Sequence, residues 1–440
     1  MSSRYLPALI LATVCCTQSG MAQNASPGGP AETQSSSSST TQLLDQLRAH
    51  EARIKELEEK LAALMEKQQA QAASTSGNSA APAEASIPVA QAPEPPAEHE
   101  HTIQLPGGGP ALKIRGFADF NMDFGPVANS LIFPLPSPVH NTFQFGEIDL
   151  FLSSKLSPRI SFVSEIIYGS DASNEWGLDI ERLQLTYKVN PYFQVSGGRY
   201  HTSIGYYNTT FHHGTWFQTA TGRPFMYYFE DSGGILPIHG VGITSTGLVP
   251  GTGRLGLHWI AEVSNGRTSD PDKAPVQNFL SDKNHKAFNI AAYIKPQWLS
   301  GLQAGGSFYR DRFTPPGIPH IDQDISSLYV VYNNGTWELM NEGVLISNHS
   351  DGASRSFNSP LTYVQLSRKF GAFRPYTRFQ YVNVPAADPL NIFKGRYDGP
   401  SVGLRMDFTE YAALKVQYNR IYQRDVSAQD GLDMQVAFTF

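Results

Sequence analysis

One stretch of the chain, residues 202–235, combines charged, histidine and aromatic side chains. A guanidinium that faces carboxylates across a narrow passage would select ions by their charge. The same groups could instead only hold the stretch in place, because structural ion pairs use the same residue types. The two histidines make a poor metal pair, since adjacent side chains point apart. The residues concerned are Arg223, Glu230, Asp231, His212 and His213.

Other histidines and the two cysteines add little chemistry. Glu98-His99-Glu100-His101 alternates carboxylate and imidazole and could bind a divalent metal loosely, although a solvated linker is the favoured interpretation. His201, His239 and His258 stand in no spacing that identifies a nucleophile and its base. Cys15 and Cys16 lie in a segment that we expect to be removed, which excludes thiol chemistry. The sequence predicts no cofactor, no metal site and no enzymatic activity.

The first quarter of the chain divides into four segments by composition. Residues 1–22 predict a secretory signal peptide, with Arg4 before a short apolar core and Gly20-Met21-Ala22 as the cleavage site. Residues 23–41 are Ser/Thr-rich and predict disorder. Residues 42–68 predict a coiled coil, and the Ala/Pro-rich residues 69–105 predict an extended spacer before a domain that covers residues 106–440.

The coiled-coil prediction depends on a short heptad pattern. Four heptads are marginal for an isolated helix, so the segment needs partners. A lone amphipathic helix or a charged disordered tract is the alternative. The apolar a and d positions are Leu43, Leu47, Ile54, Leu57, Leu61 and Leu64.

The last ten residues, 431–440, indicate how the large domain is built. Their apolar and polar side chains alternate strictly up to Phe440, which predicts a strand with one apolar face. A closed transmembrane barrel explains such an end, because its last strand pairs with its first and leaves no edge in lipid. Sixteen similar strands are predicted near 111–124, 141–154, 158–168, 177–189, 192–201, 236–248, 252–266, 285–297, 299–313, 325–334, 336–349, 358–370, 372–385, 396–409, 411–424 and 431–440.

The predicted connections favour a membrane barrel over a soluble sandwich. Tight turns such as Asn190-Pro191 and Asn333-Asn334-Gly335 alternate with longer polar loops, including residues 202–235, 267–285 and 311–324. Short turns on the periplasmic side and long loops outside are typical of outer-membrane barrels. The coiled coil would then lie in the periplasm.

Alternation also predicts which side chains face the interior. Sixteen strands enclose more space than side chains fill, so the interior should be an aqueous channel for passive diffusion of small hydrophilic solutes. Residues 202–235, after the fifth strand, are the candidate constriction because the loop is long and its aromatic rings must be buried. The predicted lumen-wall residues are Arg182, Lys188, His258, Glu262, Arg374, Arg378, Arg405 and Lys415.

The plan of the chain resembles trimeric bacterial porins, above all the phosphate-selective porin O/P superfamily and related coiled-coil porins. The stretches that carry the resemblance are GEIDLFLSSKLSPRISFVSEIIYG, GRYHTSIGYYN and MQVAFTF. It implies an outer-membrane location, contact with outer-membrane lipid and a homo-oligomer, most simply a trimer. The Lys/Arg ladder that the family name implies is not evident here, so the resemblance does not identify phosphate as the solute.

Two other classes remain as alternatives. An outer-membrane barrel hydrolase would need a catalytic set at the barrel rim. A secreted β-rich binding protein or adhesin would need polar outward faces and loops of mixed length at both ends. A formal net charge of -6 argues against nucleic acid as a partner.

Overall fold

The computed structural model describes most of the predicted β domain. The described residues are Lys55 and residues 101–103, 109–124, 141–170, 175–211, 214–230, 234–269, 279–390, 395–424 and 427–440. The predicted signal peptide and disordered segment lie outside this set. So do the coiled coil apart from Lys55, and the linker apart from residues 101–103.

Sixteen antiparallel strands, β2–β17, form one closed barrel in which each strand pairs with its neighbours in sequence. This confirms the predicted fold and strand number, with most boundaries within a few residues. A three-residue strand, β1, was not predicted; it pairs with the start of β2. The strands are β1 His101–Ile103, β2 Leu112–Phe124, β3 Thr142–Lys155, β4 Ile160–Ser170, β5 Trp176–Asn190, β6 Phe193–His201, β7 His239–Leu248, β8 Leu257–Ser264, β9 Ala287–Ile294, β10 Leu302–Phe313, β11 Ile321–Asn333, β12 Trp337–Ser350, β13 Phe357–Arg368, β14 Phe373–Val384, β15 Gly395–Asp407, β16 Ala412–Gln423 and β17 Gln429–Thr439.

The barrel closes where β17 pairs with β2, along Leu432–Thr439 and Phe117–Phe124. The pairing continues beyond the strand, since the Phe440 amide donates to the Gly116 carbonyl at 2.9 Å and the Gly116 amide donates to the Phe440 carbonyl at 2.8 Å. Closure leaves no unpaired strand edge, which the hydrocarbon interior of a membrane requires. The terminal strand therefore has the role that its alternation predicts.

Apolar and polar side chains separate onto the two faces of the barrel. On β5, Leu183 and Leu185 are about half exposed on the outside, while Gln184 is buried on the inside. On β12, Glu338 and Glu342 face inwards, which explains the irregular pattern of that strand. The period-2 geometry of a strand produces this separation wherever one face meets lipid.

One predicted loop is shorter than expected. The polar residues 311–324 predict a loop; β10 ends at Phe313 as predicted, but β11 begins at Ile321 rather than near residue 325. Arg312 lies opposite Asp322 in the ladder, and their side chains form an ion pair. Opposite charges on adjacent strands stabilise the pairing of β10 with β11, although polar residues of this kind are more typical of a loop.

Between β6 and β7 the chain forms a long connection, residues 202–238, which we call the inner loop. It contains a one-turn helix, α1 (Tyr207–Thr210), and two 3-10 turns, Thr215–Phe217 and Phe225–Tyr227. No helix in the described part of the chain has the length and apolarity needed to cross a membrane.

Candidate functional site

The inner loop packs against side chains that point into the barrel. Its Tyr207, Met226 and Tyr227 are almost completely buried, in one apolar cluster with Tyr329 and Tyr363 of the wall. Burial of aromatic rings is a large favourable contribution to the free energy of folding. The aromatic content of this stretch is therefore accounted for by a core inside the barrel.

Glu342, on the inner face of β12, holds the start of the loop. It accepts hydrogen bonds from the amides of Tyr206 at 2.6 Å and Tyr207 at 3.0 Å. The hydroxyls of Tyr227 and Tyr363 donate to the same carboxylate at 2.8 and 2.5 Å. One buried carboxylate thus joins two parts of the loop to the wall.

The close approach at Glu342 requires a glycine in the loop. Gly205 has φ of +81°, in the left-handed region that favours glycine. A Cβ atom there would lie 1.7 Å from the Tyr227 hydroxyl oxygen and 2.5 Å from Glu342 Oε2. A larger residue at position 205 would therefore separate the loop from the carboxylate.

Other carboxylates of the inner wall accept hydrogen bonds from the loop in the same way. Glu262 of β8 accepts from the Ser203 amide and hydroxyl at 3.1 and 2.7 Å. The remaining contacts join Glu338 to the Thr219 hydroxyl at 3.0 Å, Asp149 to the Gly214 amide at 3.3 Å and Asp433 to the Thr221 hydroxyl at 3.4 Å.

Three of the predicted wall cations bind the carbonyl groups of the loop. Arg405 Nη1 donates to the carbonyls of Trp216 and Gln218 at 2.6 and 3.0 Å. Lys415 Nζ donates to the Thr215 carbonyl at 2.5 Å, and Arg378 Nη1 donates to the Gly222 carbonyl at 3.0 Å. Arg378 and Lys415 are fully buried. These cations lie on the inner face as expected, but they bind the loop.

The other predicted wall residues lie on the inner face, and among them only Glu262 forms a hydrogen bond with the described backbone of the loop. Arg374 Nη2 donates to the Gly335 carbonyl in a tight turn at 2.8 Å. Arg182 Nε pairs with Glu165 Oε2 at 2.6 Å. His258 stacks on Tyr293 with ring centroids 4.8 Å apart, and Lys188 is half-buried on β5. The wall set is therefore spread around the barrel.

Arg223 is buried inside the inner loop. Its Nε donates to the Tyr227 carbonyl at 2.6 Å, and its guanidinium lies 3.9 Å from the Phe229 ring centroid. A cation over an aromatic face is stabilised by the ring quadrupole. These contacts favour the interpretation that Arg223 holds the loop in shape.

Glu230 attaches the end of the loop to β7. It is fully buried, accepts from the His239 amide at 2.7 Å and lies 3.0 Å from His239 Nδ1. The other ring nitrogen of His239 lies 2.5 Å from Glu181 of β5, which also pairs with Arg199. Burial opposes ionisation of Glu230, but the contact with His239 outweighs it and lowers the pKa of the carboxyl.

His212, His213 and Asp231 lie outside the described residues, so their positions stay predictions. The Glu98–His101 motif is described only at the backbone of His101, in β1. Among the described residues, no group of three or more His, Cys, Asp or Glu side chains could hold a metal ion.

Sequence reasoning missed the role of Glu338 and Glu342. In the sequence both interrupt the apolar pattern of residues 336–349 and suggest no partner. Two carboxylates four residues apart on a strand share a face, which is a usable signal of an inward ladder. Their partners were unpredictable, because Glu342 and Tyr207 are separated by 135 residues.

The structure is similar to solved outer-membrane porins. It matches an anion-selective porin from Comamonas acidovorans with TM-score 0.53 and 13% identity, over 75% of this chain and 100% of that one. It matches OmpF of Salmonella typhi, in complex with daunomycin, with TM-score 0.53 and 11% identity, over 77% and 100%. The channel DcaP of Acinetobacter baumannii matches with TM-score 0.51 and 10% identity, over 76% and 98%. The chain therefore has the porin fold.

No protein-family model matches the sequence, and no curated protein matches it. The specific resemblance to the porin O/P superfamily thus stays a prediction.

Proposed function

We propose that the protein is an outer-membrane channel for passive diffusion of small hydrophilic solutes. The observation that carries the proposal is the closed sixteen-strand barrel, with apolar side chains outside and polar side chains inside. A barrel of this size encloses more space than its own side chains fill. The similar solved structures, a porin and a channel among them, support the same conclusion.

The inner loop is proposed as the constriction of this channel. Its backbone hydrogen-bonds to inward side chains of β8 and β12 and of β14–β16, so it crosses the interior. Arg223 binds other residues of the loop, and Glu230 attaches the end of the loop to β7. Asp231, His212 and His213 belong to the same loop and are proposed to contribute to the charge of the passage.

Planar-bilayer recording of the refolded protein tests the channel. Discrete conductance steps in potassium chloride, together with a reversal potential under a salt gradient, are the expected result. Protein that shows heat-modifiable migration on a gel, and is therefore folded, but gives no steps would contradict the proposal.

We further propose that the protein is a trimer in outer-membrane lipid, with residues 42–68 as a periplasmic coiled coil. The heptad pattern of that segment and the resemblance to trimeric porins support this assembly. Chemical crosslinking of the detergent-solubilised protein should give species up to a trimer, and removal of residues 42–68 should weaken it. A monomer at all protein concentrations would contradict the trimer.

A further inference from the structure

The inner wall formed by β5–β9 carries an unbroken row of polar side chains. The strand register pairs Thr186 with Ser196, Ser196 with Thr244, Thr244 with Glu262, and Glu262 with Asn289. Paired residues of antiparallel strands share a face, so the row crosses five strands on the inside. The apolar core that holds the inner loop takes its wall residues mainly from β9–β14.

A cavity of about 60 Å³ lies against this wall. Its lining includes Gln184, Thr244 and Thr246, whose side chains form no hydrogen bond with another residue in the part of the chain that the structure describes. Tyr293 and Ile260 add an apolar surface beside them. Hydroxyl and amide groups both donate and accept, so they suit a solute that does the same.

The charges around the cavity disfavour an anion. Arg182 is paired with Glu165, while Glu262 accepts hydrogen bonds from Ser203 and from Asn289 at 2.7 Å and has no cationic partner among the described residues. The cations of the opposite wall are bound to loop carbonyls. An anion that lost its water here would meet a carboxyl group and a guanidinium that is already paired, whereas a neutral solute would exchange hydrogen bonds with water for hydrogen bonds with the wall.

We propose that the passage runs along β5–β9 and favours uncharged, hydroxyl-rich solutes over anions, with Thr244 and Thr246 as specificity-determining residues. The inference rests on the proposed channel function and names its solute class.

Lys188 provides an internal contrast. It lies on β5 two residues from Thr186, towards the tight turn, and pairs with Gln194 in the ladder. Within the described residues it has no ion pair, and it does not line the cavity. Lys188 should therefore affect small ions without affecting a neutral solute.

The first test needs no variant. The refolded protein is placed in liposomes, and swelling is compared in arabinose and in its anion arabonate, which has the same number of carbon atoms. Faster entry of arabinose is expected. Faster entry of arabonate would overturn the inference.

The second test removes hydroxyls at constant shape. Thr244→Val with Thr246→Val should lower the arabinose rate by about threefold or more, as expected for lost hydrogen bonds, while conductance in potassium chloride stays within about twofold. Thr377→Val, an exposed threonine of β14, is the matched control and should change neither rate. Lys188→Gln should shift the reversal potential and leave arabinose entry unchanged.

The outcomes separate the inference from the proposed function. A conducting channel whose arabinose rate is unaffected by the valine pair would overturn the inference and keep the channel. A folded protein that neither conducts nor admits arabinose would overturn both. If the double variant does not fold, Thr246→Val alone is compared with Thr377→Val, by the same criterion.

Discussion

At the residue scale, the inner loop is held by charged side chains of both signs. Carboxylates of the wall accept from its amides and hydroxyls, and Arg378, Arg405 and Lys415 donate to its carbonyls. A loop inside a barrel cannot rely on secondary structure to satisfy its backbone, so buried side chains must do so. Hydrogen bonds with a charged partner are stronger than neutral ones and suit this role.

Glu342→Gln should loosen the inner loop, because the neutral amide accepts fewer and weaker hydrogen bonds than the carboxylate. Each such bond contributes about 1.5–3 kcal/mol. We expect larger and noisier single-channel currents in planar bilayers. Asn341→Ala, which changes the neighbouring exposed side chain on the outer face, is the control and should behave as wild type. Equal currents in all three proteins would mean that Glu342 does not restrain the loop.

Glu230 should make the loop sensitive to acid. Its pKa lies below the ordinary value of 4.5 in the folded protein, so above that pH the carboxylate is ionised and its contact with protonated His239 stabilises the loop. The stabilisation is lost as the pH falls through the lowered pKa. Glu181, Arg199 and Arg223 also lie near this contact.

Channel noise should therefore rise in wild-type protein as the pH falls below about 4, beneath the ordinary carboxyl pKa. Glu230→Gln should show the noisy state already at pH 7 and depend less on pH. Asp430→Asn removes an exposed carboxylate in an ion pair with Arg420 and should keep the wild-type profile. A quiet Glu230→Gln channel at pH 7 would contradict the role of Glu230.

At the scale of elements, the inner loop and the barrel wall depend on each other. Residues 214–222 supply the carbonyls that bind Arg378, Arg405 and Lys415, while contacts at Glu262, Glu342 and His239 hold the loop on either side. Residues 214–222 can therefore be replaced while the contacts at Glu262, Glu342 and His239 are kept. Their removal would return these three cations to water, together with three carboxylates that bind the same segment, those of Asp149, Glu338 and Asp433.

Replacement of residues 214–222 by a short Gly-Ser link should raise the single-channel conductance severalfold, because the passage becomes wider. The reversal potential should stay near the wild-type value, because the exposed cations and carboxylates are equal in number. A Gly-Ser link in place of residues 314–319, in the loop between β10 and β11, is the control. An unchanged conductance would mean that residues 214–222 do not narrow the passage.

At the scale of the whole molecule, Phe440 extends the strand pairing that closes the barrel. Phe440 exchanges two backbone hydrogen bonds with Gly116, beyond the last paired residue of β17. Each such bond contributes about 0.5–1.5 kcal/mol in water. An unsatisfied backbone group has a larger free-energy cost in lipid than in water, so these two bonds contribute more to stability where the strand ends lie in lipid.

Deletion of Phe440 should therefore lower the free energy of unfolding by about 1–3 kcal/mol, from two lost bonds. Phe440→Ala keeps the backbone bonds and should cost less. Phe408→Ala, at an equally exposed phenylalanine (52% for both), controls for the loss of an outward ring. Urea unfolding followed by heat-modifiable gel migration measures all three. If the deletion lowers the free energy of unfolding no more than Phe440→Ala does, the two backbone bonds of Phe440 do not contribute to stability.

The sequence alone determined the architecture of the barrel. Strand number, most strand boundaries, the closing strand and the outward faces follow from period-2 alternation and turn residues, which are local signals. The inward positions of Arg182, His258, Glu262 and Arg405 follow from the same alternation.

Only the tertiary structure decided what those inward side chains do. Arg378 and Lys415 look like selectivity cations in the sequence, but they bind loop carbonyls about 150–200 residues away. From the sequence, Arg223 could face the acidic pair of its loop or the charged wall, whereas in the structure its guanidinium donates to the Tyr227 carbonyl within the same loop. Strand periodicity fixes which face a side chain is on, whereas its partner across the barrel depends on how one long loop folds, and no local pattern encodes that.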